Sequence, residues 1–222
     1  MLNSKDSIKK KSKGSIKIVL LILFGAILIV NNMHKGQGAR ELQAGISEEI
    51  VRFHVRANSD SEEDQQLKLK VKDAVVSYLQ KKLKNAKNIN EAKKIMVVEM
   101  PQLEKISKRI IKKNGYSYNC QVILGQDNFP VKMYGDMTFP AGKYEALQVL
   151  IGSACGKNWW CVMFPTLCFV DSTYMVVPDD SKKLLKNVLS EEEYKSLVLS
   201  GDAEIEYKFK IEEWWHKIWG KK

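Results

Sequence analysis

Three histidines and four cysteines are the side chains on which chemistry would most readily be built. His34 sits beside a basic and apolar leader, whereas His54 lies on the polar side of a predicted strand. A Cys161–His54 dyad would pair a thiol nucleophile with its base. The competing account is simpler: a strand histidine facing partial solvent. The usual catalytic and phosphate-binding spacings, H-E-x-x-H, G-x-S-x-G, the P-loop and C-x-x-C, are missing. Gly152-Ser153-Ala154-Cys155-Gly156 comes near a nucleophile elbow without matching it. Asn58, Asp60, Glu62, Glu63 and Asp64 are spaced like oxygen ligands for calcium, but the run lacks the glycine that an EF-hand turn needs. A helix start accounts for all of them. Asp60 or Ser61 would accept from free backbone amides, and the acidic first turn would complement the helix dipole. No metal or cofactor is expected.

Aromatic residues offer a different chemistry, that of an interface. Asn158-Trp159-Trp160-Cys161 precedes Phe164-Pro165, and adjacent tryptophans on an extended segment point to opposite sides. Tryptophan is a frequent interface anchor. Trp159, Trp160 and Phe164 are therefore the expected anchors, with Asn158 and Lys157 at the rim. The opposing account places both indoles in core and loop. Cys161 and Cys168 flank Pro165 at a spacing that a tight turn could close into a disulfide. Cys120 and Cys155 complete a set with three pairings, and four buried thiols would be an equally ordinary outcome. Trp214, Trp215 and Trp219 fall on one side of a short predicted helix, 212–220, beside Lys217, Lys221 and Lys222. Such a helix would rest on a membrane surface, dock on its own sheet, or enter a partner's groove.

The elements that must position these residues follow from periodicity. Val51, Phe53, Val55 and Ala57 alternate with Arg52, His54 and Arg56, which predicts a half-buried strand. Leu67, Val71, Val75 and Leu79 recur at helical spacing over 61–83. Asn88 or Asn90 would cap a second helix, and Pro101 would open a third that Gly115 stops. Strands follow over 116–124, 129–134 and 143–151, with turns at Gly135-Asp136 and Pro140-Ala141-Gly142. Residues 179–201 return to helix, with Ser190 and Glu193 placed as a capping box. A last strand covers Ala203 to Ile211. Helices that cluster apart from most strands predict an α+β fold: a largely antiparallel sheet with helices packed on one face.

Six lysines before residue 18 precede an uninterrupted apolar run from Ile18 to Val30. The run is thirteen residues long, which suits an export signal better than the roughly 20 residues of a membrane span. Residues 1–38 are thus expected to be a signal peptide or N-terminal anchor, 39–49 a Gly/Gln/Ala-rich linker, and 50–222 a single extracytoplasmic domain. The leader holds +6 of the formal charge of +10, leaving +4 for the rest. A basic balance that belongs mostly to a leader argues against nucleic acid as a partner.

Two separated blocks resemble the stage II sporulation protein R family. The first is Arg52 with Ala57-Asn58-Ser59-Asp60-Ser61, Asp64-Gln65-Gln66-Leu67-Lys68 and Val71-Lys72-Asp73-Ala74-Val75. The second is Tyr134-Gly135-Asp136-Met137, Phe139-Pro140-Ala141-Gly142, Tyr144-Glu145-Ala146, Asn158-Trp159-Trp160-Cys161-Val162 and Leu167-Cys168-Phe169. The chain departs at Arg56, where an apolar residue is expected, and at Thr166, where a second proline is more typical. The resemblance implies a protein secreted from the forespore into the intermembrane space, held there by its leader or freed from it. It implies a protein partner too, a membrane-embedded aspartic protease that removes the pro-sequence of a mother-cell sigma factor. Two other classes stay open on the sequence: an exported hydrolase acting on cell wall or peptide, and a membrane-surface lipid-binding module.

Overall fold

The computed structural model describes residues 24–25, 38–168 and 176–198. Most of the leader, the strand expected at 203–211 and the tryptophan helix with Trp214, Trp215 and Trp219 lie outside the described residues. Among the described residues, no helix is long and apolar enough to cross a membrane.

Strand β1 (Val51–Arg56) lies inside a four-stranded sheet with β2 (Cys120–Phe129), β5 (Gly142–Ile151) and β6 (Asn158–Phe164), in the order β2-β5-β1-β6. It runs parallel to β5 and antiparallel to β6, while β2 and β5 pair antiparallel over their whole lengths. Strands β3 (Lys132–Tyr134) and β4 (Met137–Phe139) form a separate hairpin. The expected α+β class and mostly antiparallel sheet are what the chain adopts.

Helices α2 (Glu62–Leu83) and α3 (Ile89–Lys113) cover one face of the sheet. Leu67, Val71, Val75 and Leu79 of α2, with Ala92, Met96, Leu103 and Ile111 of α3, pack on Val51, Phe53 and Val55. Ser61 caps α2 by accepting from the Asp64 amide at 3.2 Å, and Asn88 caps α3 by accepting from Glu91 at 2.9 Å. Pro101 opens no new helix. It sits within α3 on its exposed side, and the carbonyl it leaves unbonded belongs to the solvent-exposed Val97. Apolar residues buried on both sides of the proline keep the helix continuous.

The opposite face is also covered, which alternation in β1 did not anticipate. A helix over 38–49 (α1), the β3–β4 hairpin, α4 (Asp179–Val188) and α5 (Glu191–Leu197) enclose a second core around Ile46, Ile50, Phe139, Tyr144, Val162, Leu185 and Leu197. Residues 39–49 are therefore not a linker. Small residues permit close packing instead: a side chain at Gly45 would collide with Glu193 of α5, and Gln43 lies against Gly142 of β5 and donates to the Lys143 carbonyl at 3.2 Å. The helix expected over 179–201 divides at Leu189-Ser190. Ser190 and Glu193 make the anticipated capping box, and a cap of that kind starts a helix rather than continuing one.

Pro101→Ala should stabilise the protein by about 1–3 kcal/mol, because it returns a backbone donor to the Val97 carbonyl and removes a ring from the helix interior. Urea denaturation measures this; an unchanged midpoint would show that α3 has already adapted to the proline.

Candidate functional site

The Ala57-Asn58-Ser59-Asp60-Ser61 segment locks three elements together where β1 ends and α2 begins. Asn58 Oδ1 accepts from the Ser153 amide at 2.9 Å, and its Nδ2 donates to Asp64 Oδ2 at 2.9 Å. The Asn58 carbonyl accepts from Ser153 Oγ at 2.7 Å and from the Cys155 amide at 3.2 Å. Ser59 Oγ donates to Asp64 at 2.6 Å, and Asp60 accepts from the Lys157 amide at 2.6 Å. A side chain at Gly156 would strike the Ser59 carbonyl, so only glycine lets the β5–β6 loop close on this segment. Burial pushes the Asp64 carboxyl up, but hydrogen bonds from Ser59, Asn58 and Tyr118 outweigh it and hold the group below its ordinary value. The acidic run is a structural clasp and a helix start.

The unusual chemistry lies on the second sheet face. Arg52 and His54, expected at a half-solvated surface, are both fully buried, and Arg56 is half-buried. His54 Nδ1 lies 3.0 Å from Asn158 Oδ1, which also accepts from Arg56 Nε at 3.2 Å. An amide oxygen only accepts, so Nδ1 is the protonated nitrogen. Nε2 stands 3.0 Å from Asp127 Oδ2 but makes no aligned hydrogen bond to it. Trp160 stacks on the imidazole at 4.9 Å, and Phe129 meets it edge-on at 5.7 Å. Burial lowers the His54 pKa, outweighing the upward pull of the Asn158 bond and Asp127. Arg56 lowers it further, and Gln148 raises it. The result is a neutral imidazole between an amide and a carboxylate.

Of the expected interface residues, Asn158, Trp159 and Trp160 come together at the start of β6, an edge strand among the described residues, with Lys157 exposed just before it. The indoles do point opposite ways. Trp159 packs against Phe53 at 6.0 Å on the α2 side, beneath the Lys72 ammonium, and Trp160 joins His54 and Phe129 on the other. Both are half-buried. Phe164 is not available as an anchor: it is 3% exposed and belongs to the core beneath α2 and α3. Trp160 and Val162 face the second core, but at the register shift beside Val51 and Arg52, Phe164 joins the first, and the edge of β6 is closed there by Leu167, whose amide donates to the Val162 carbonyl at 3.0 Å.

Cys161 and Cys168 are joined as a disulfide. Cys155 is free and exposed, and burial pushes the free Cys120 thiol up to about 11. No Cys161–His54 dyad exists, because Cys161 pairs across from Phe53 and His54 across from Trp160, on opposite faces.

The whole of this arrangement falls within residues 47–174, the stretch that matches the family model described as Stage II sporulation protein R. The chain belongs to this family. It is 36% identical over 153 residues, 69% of this chain and 68% of the relative, to Stage II sporulation protein R of Bacillus subtilis (strain 168). No solved structure matches the chain. It is a sporulation protein, and its two departures from the family pattern now have structural settings. Arg56 does not shift the register of β1 and is held by Asn158. Thr166 ties its loop to neighbours, donating to the Met163 carbonyl at 3.1 Å while its own carbonyl accepts from Ser181 at 3.0 Å. Arg52 and His54 were legible as polar residues of a strand, and Arg52 also as part of the family signature, but a single alternating strand carries no signal that its polar side will be covered.

Asn58→Ala leaves the Asp64 carboxylate and the Ser153 amide short of partners and should cost about 1–3 kcal/mol in urea denaturation. A loss inside the measurement error would remove the clasp from the stabilising contacts. For His54 the native state binds fewer protons than the unfolded chain, so stability rises with pH and is lost as pH falls below the ordinary histidine value of 6.5. His54→Gln should abolish this loss in thermal melts, leaving only the steeper acid loss, below the carboxylate range, to which Asp64 contributes. An unaltered pH profile would show that His54 is not its source.

Proposed function

We propose that this chain is an exported, non-enzymatic signal that activates a membrane-embedded aspartic protease, which then removes the pro-sequence of a mother-cell sigma factor. Membership of the sporulation family is the observation that carries the reading. The lysine-rich leader and apolar run support delivery from the forespore into the intermembrane space. His54 supports a binding role over hydrolysis, since its two nitrogens face an amide and a carboxylate rather than a nucleophile. The contact surface is the start of β6: Trp160 as anchor, Asn158 and Lys157 around it, and Trp159 bracing the strand from behind. An edge strand also offers backbone groups to a partner. Activation by binding requires that this surface hold the active state of the protease more tightly than the inactive one, because a ligand shifts an equilibrium only by its differential affinity.

The reading is tested by expressing the protease and its pro-sigma substrate in a non-sporulating host and supplying this chain with and without its leader. Substrate shortening that needs both the chain and its export is the expected result. Trp160→Ala should reduce processing about tenfold or more, in keeping with a central tryptophan anchor, while circular dichroism shows an intact fold. Trp159→Ala should chiefly lower the melting temperature, since it removes the packing on Phe53. Full processing by a folded Trp160→Ala chain would move the contact elsewhere.

A further inference from the structure

Arg52 is fully buried, and among the described residues none of Nε, Nη1 and Nη2 has a hydrogen-bond partner. No carboxylate pairs with it among the described residues. Its guanidinium is boxed by Phe129 at 4.5 Å, Tyr144 at 5.0 Å, Phe139 at 5.4 Å and Tyr134 at 5.9 Å from the ring centres. Ring faces attract a cation but do not supply the in-plane acceptors that its five N–H groups require. Tyr134 adds to the imbalance, because its hydroxyl is also buried without a partner. Tyr144, by contrast, donates to the Pro140 carbonyl at 2.8 Å. A planar fork of donors and an unpartnered hydroxyl therefore share one aromatic box in which, among the described residues, no acceptor meets the guanidinium. A buried cation left in that state destabilises the fold, and a hydrophobic residue of similar volume would not.

The geometry points to a carboxylate-binding site at Arg52, closed by the β3–β4 hairpin. The complement of a guanidinium fork is the planar, singly charged carboxylate, which it grips with two parallel hydrogen bonds. A phosphate dianion would call for a second positive group, and the box holds one. Tyr134 and Phe139 form the cover, and the hairpin carrying them is flanked by Pro130 and Pro140. It is tethered by few polar contacts: one backbone bridge from Met137 to Val198, the Val177 amide on Asp136 at 2.8 Å, and the Lys182–Asp136 ion pair at 2.5 Å. Val131 and Met133 stand exposed at its outer side. A carboxylate presented there reaches Arg52 by displacing two aromatic side chains rather than a sheet strand. The site lies on the face proposed above to meet the protease, and so names an acidic group as what that face recognises.

The test uses the purified full chain with 15N-labelled arginine, following the Nε–Hε resonance that Arg52→Met removes. Sodium acetate is titrated at constant ionic strength against chloride and phosphate, alongside acetyl-Val-Glu-Val-amide and its Gln counterpart. The expected result is a saturable shift with acetate and with the Glu peptide, and none with chloride or the Gln peptide. Glu-peptide binding about tenfold tighter than acetate assigns the carboxylate to a polypeptide, and equal binding assigns it to a free small acid. Arg52→Met should melt at a higher temperature than the native chain, yet fail to activate the protease. Arg52→Lys keeps the charge without the fork, and should fold while losing the rise in melting temperature that acetate gives the native chain. A resonance unmoved by both carboxylates overturns the site, and so does an equal shift with phosphate, which would mark an adventitious ion only. No protease enters the titration, so its failure leaves the activator reading standing, and failed processing in the host leaves the carboxylate site standing.

Discussion

A strand that carries an arginine and a histidine into an interior sets the terms for the rest of this molecule. β1 lies between β5 and β6, and both of its faces are covered, so every side chain from Val51 to Val55 loses contact with water. Val51, Phe53 and Val55 gain from that burial. Arg52 and His54 do not, and the second face is built to tolerate them. Aromatic rings surround the guanidinium, while an amide and a carboxylate flank the imidazole. The hairpin, α1, α4 and α5 are what make that face an interior at all. Had they been absent, the same strand would be an ordinary half-solvated one.

The clasp at Asn58 makes this strand position dependable. It binds the end of β1 to the start of α2 and to the β5–β6 loop, and through Lys157 it sets where β6 begins. Trp159 and Trp160 start their alternation from that point. The polar clasp and the aromatic surface are thus one device. Its hydrogen bonds are short-range and directional, so they specify position, whereas the two apolar cores specify only that the layers meet. This division holds a surface in place.

Much was legible from residue order alone. Helix α2 and its Ser61 cap, the turn at Gly135-Asp136, the α+β class, the capping box at Ser190 and the opposed tryptophans all follow from local periodicity and local hydrogen bonding. The membership of the family rests on motifs of the same local kind. Errors arose where a local rule met a tertiary competitor. Pro101 marks a helix start by propensity, but burial on both of its sides carried α3 through it. Gly36 to Gly45 reads as linker by composition, yet Gly45 is small because α5 passes over it. Phe164 follows the tryptophans closely in sequence and is swallowed by the first core.

The sequence by itself determined many of the helical and extended segments, where several of them start, and to which family the chain belongs, because those properties depend on neighbours a few residues away. Tertiary structure alone decided that the polar side of β1 is an interior, that His54 and Cys161 lie on opposite faces, and that Arg52 is enclosed with no acceptor among the described residues. Each of these depends on which distant segment covers a face. A strand's own pattern reports that its two faces differ; it does not report what is laid over them.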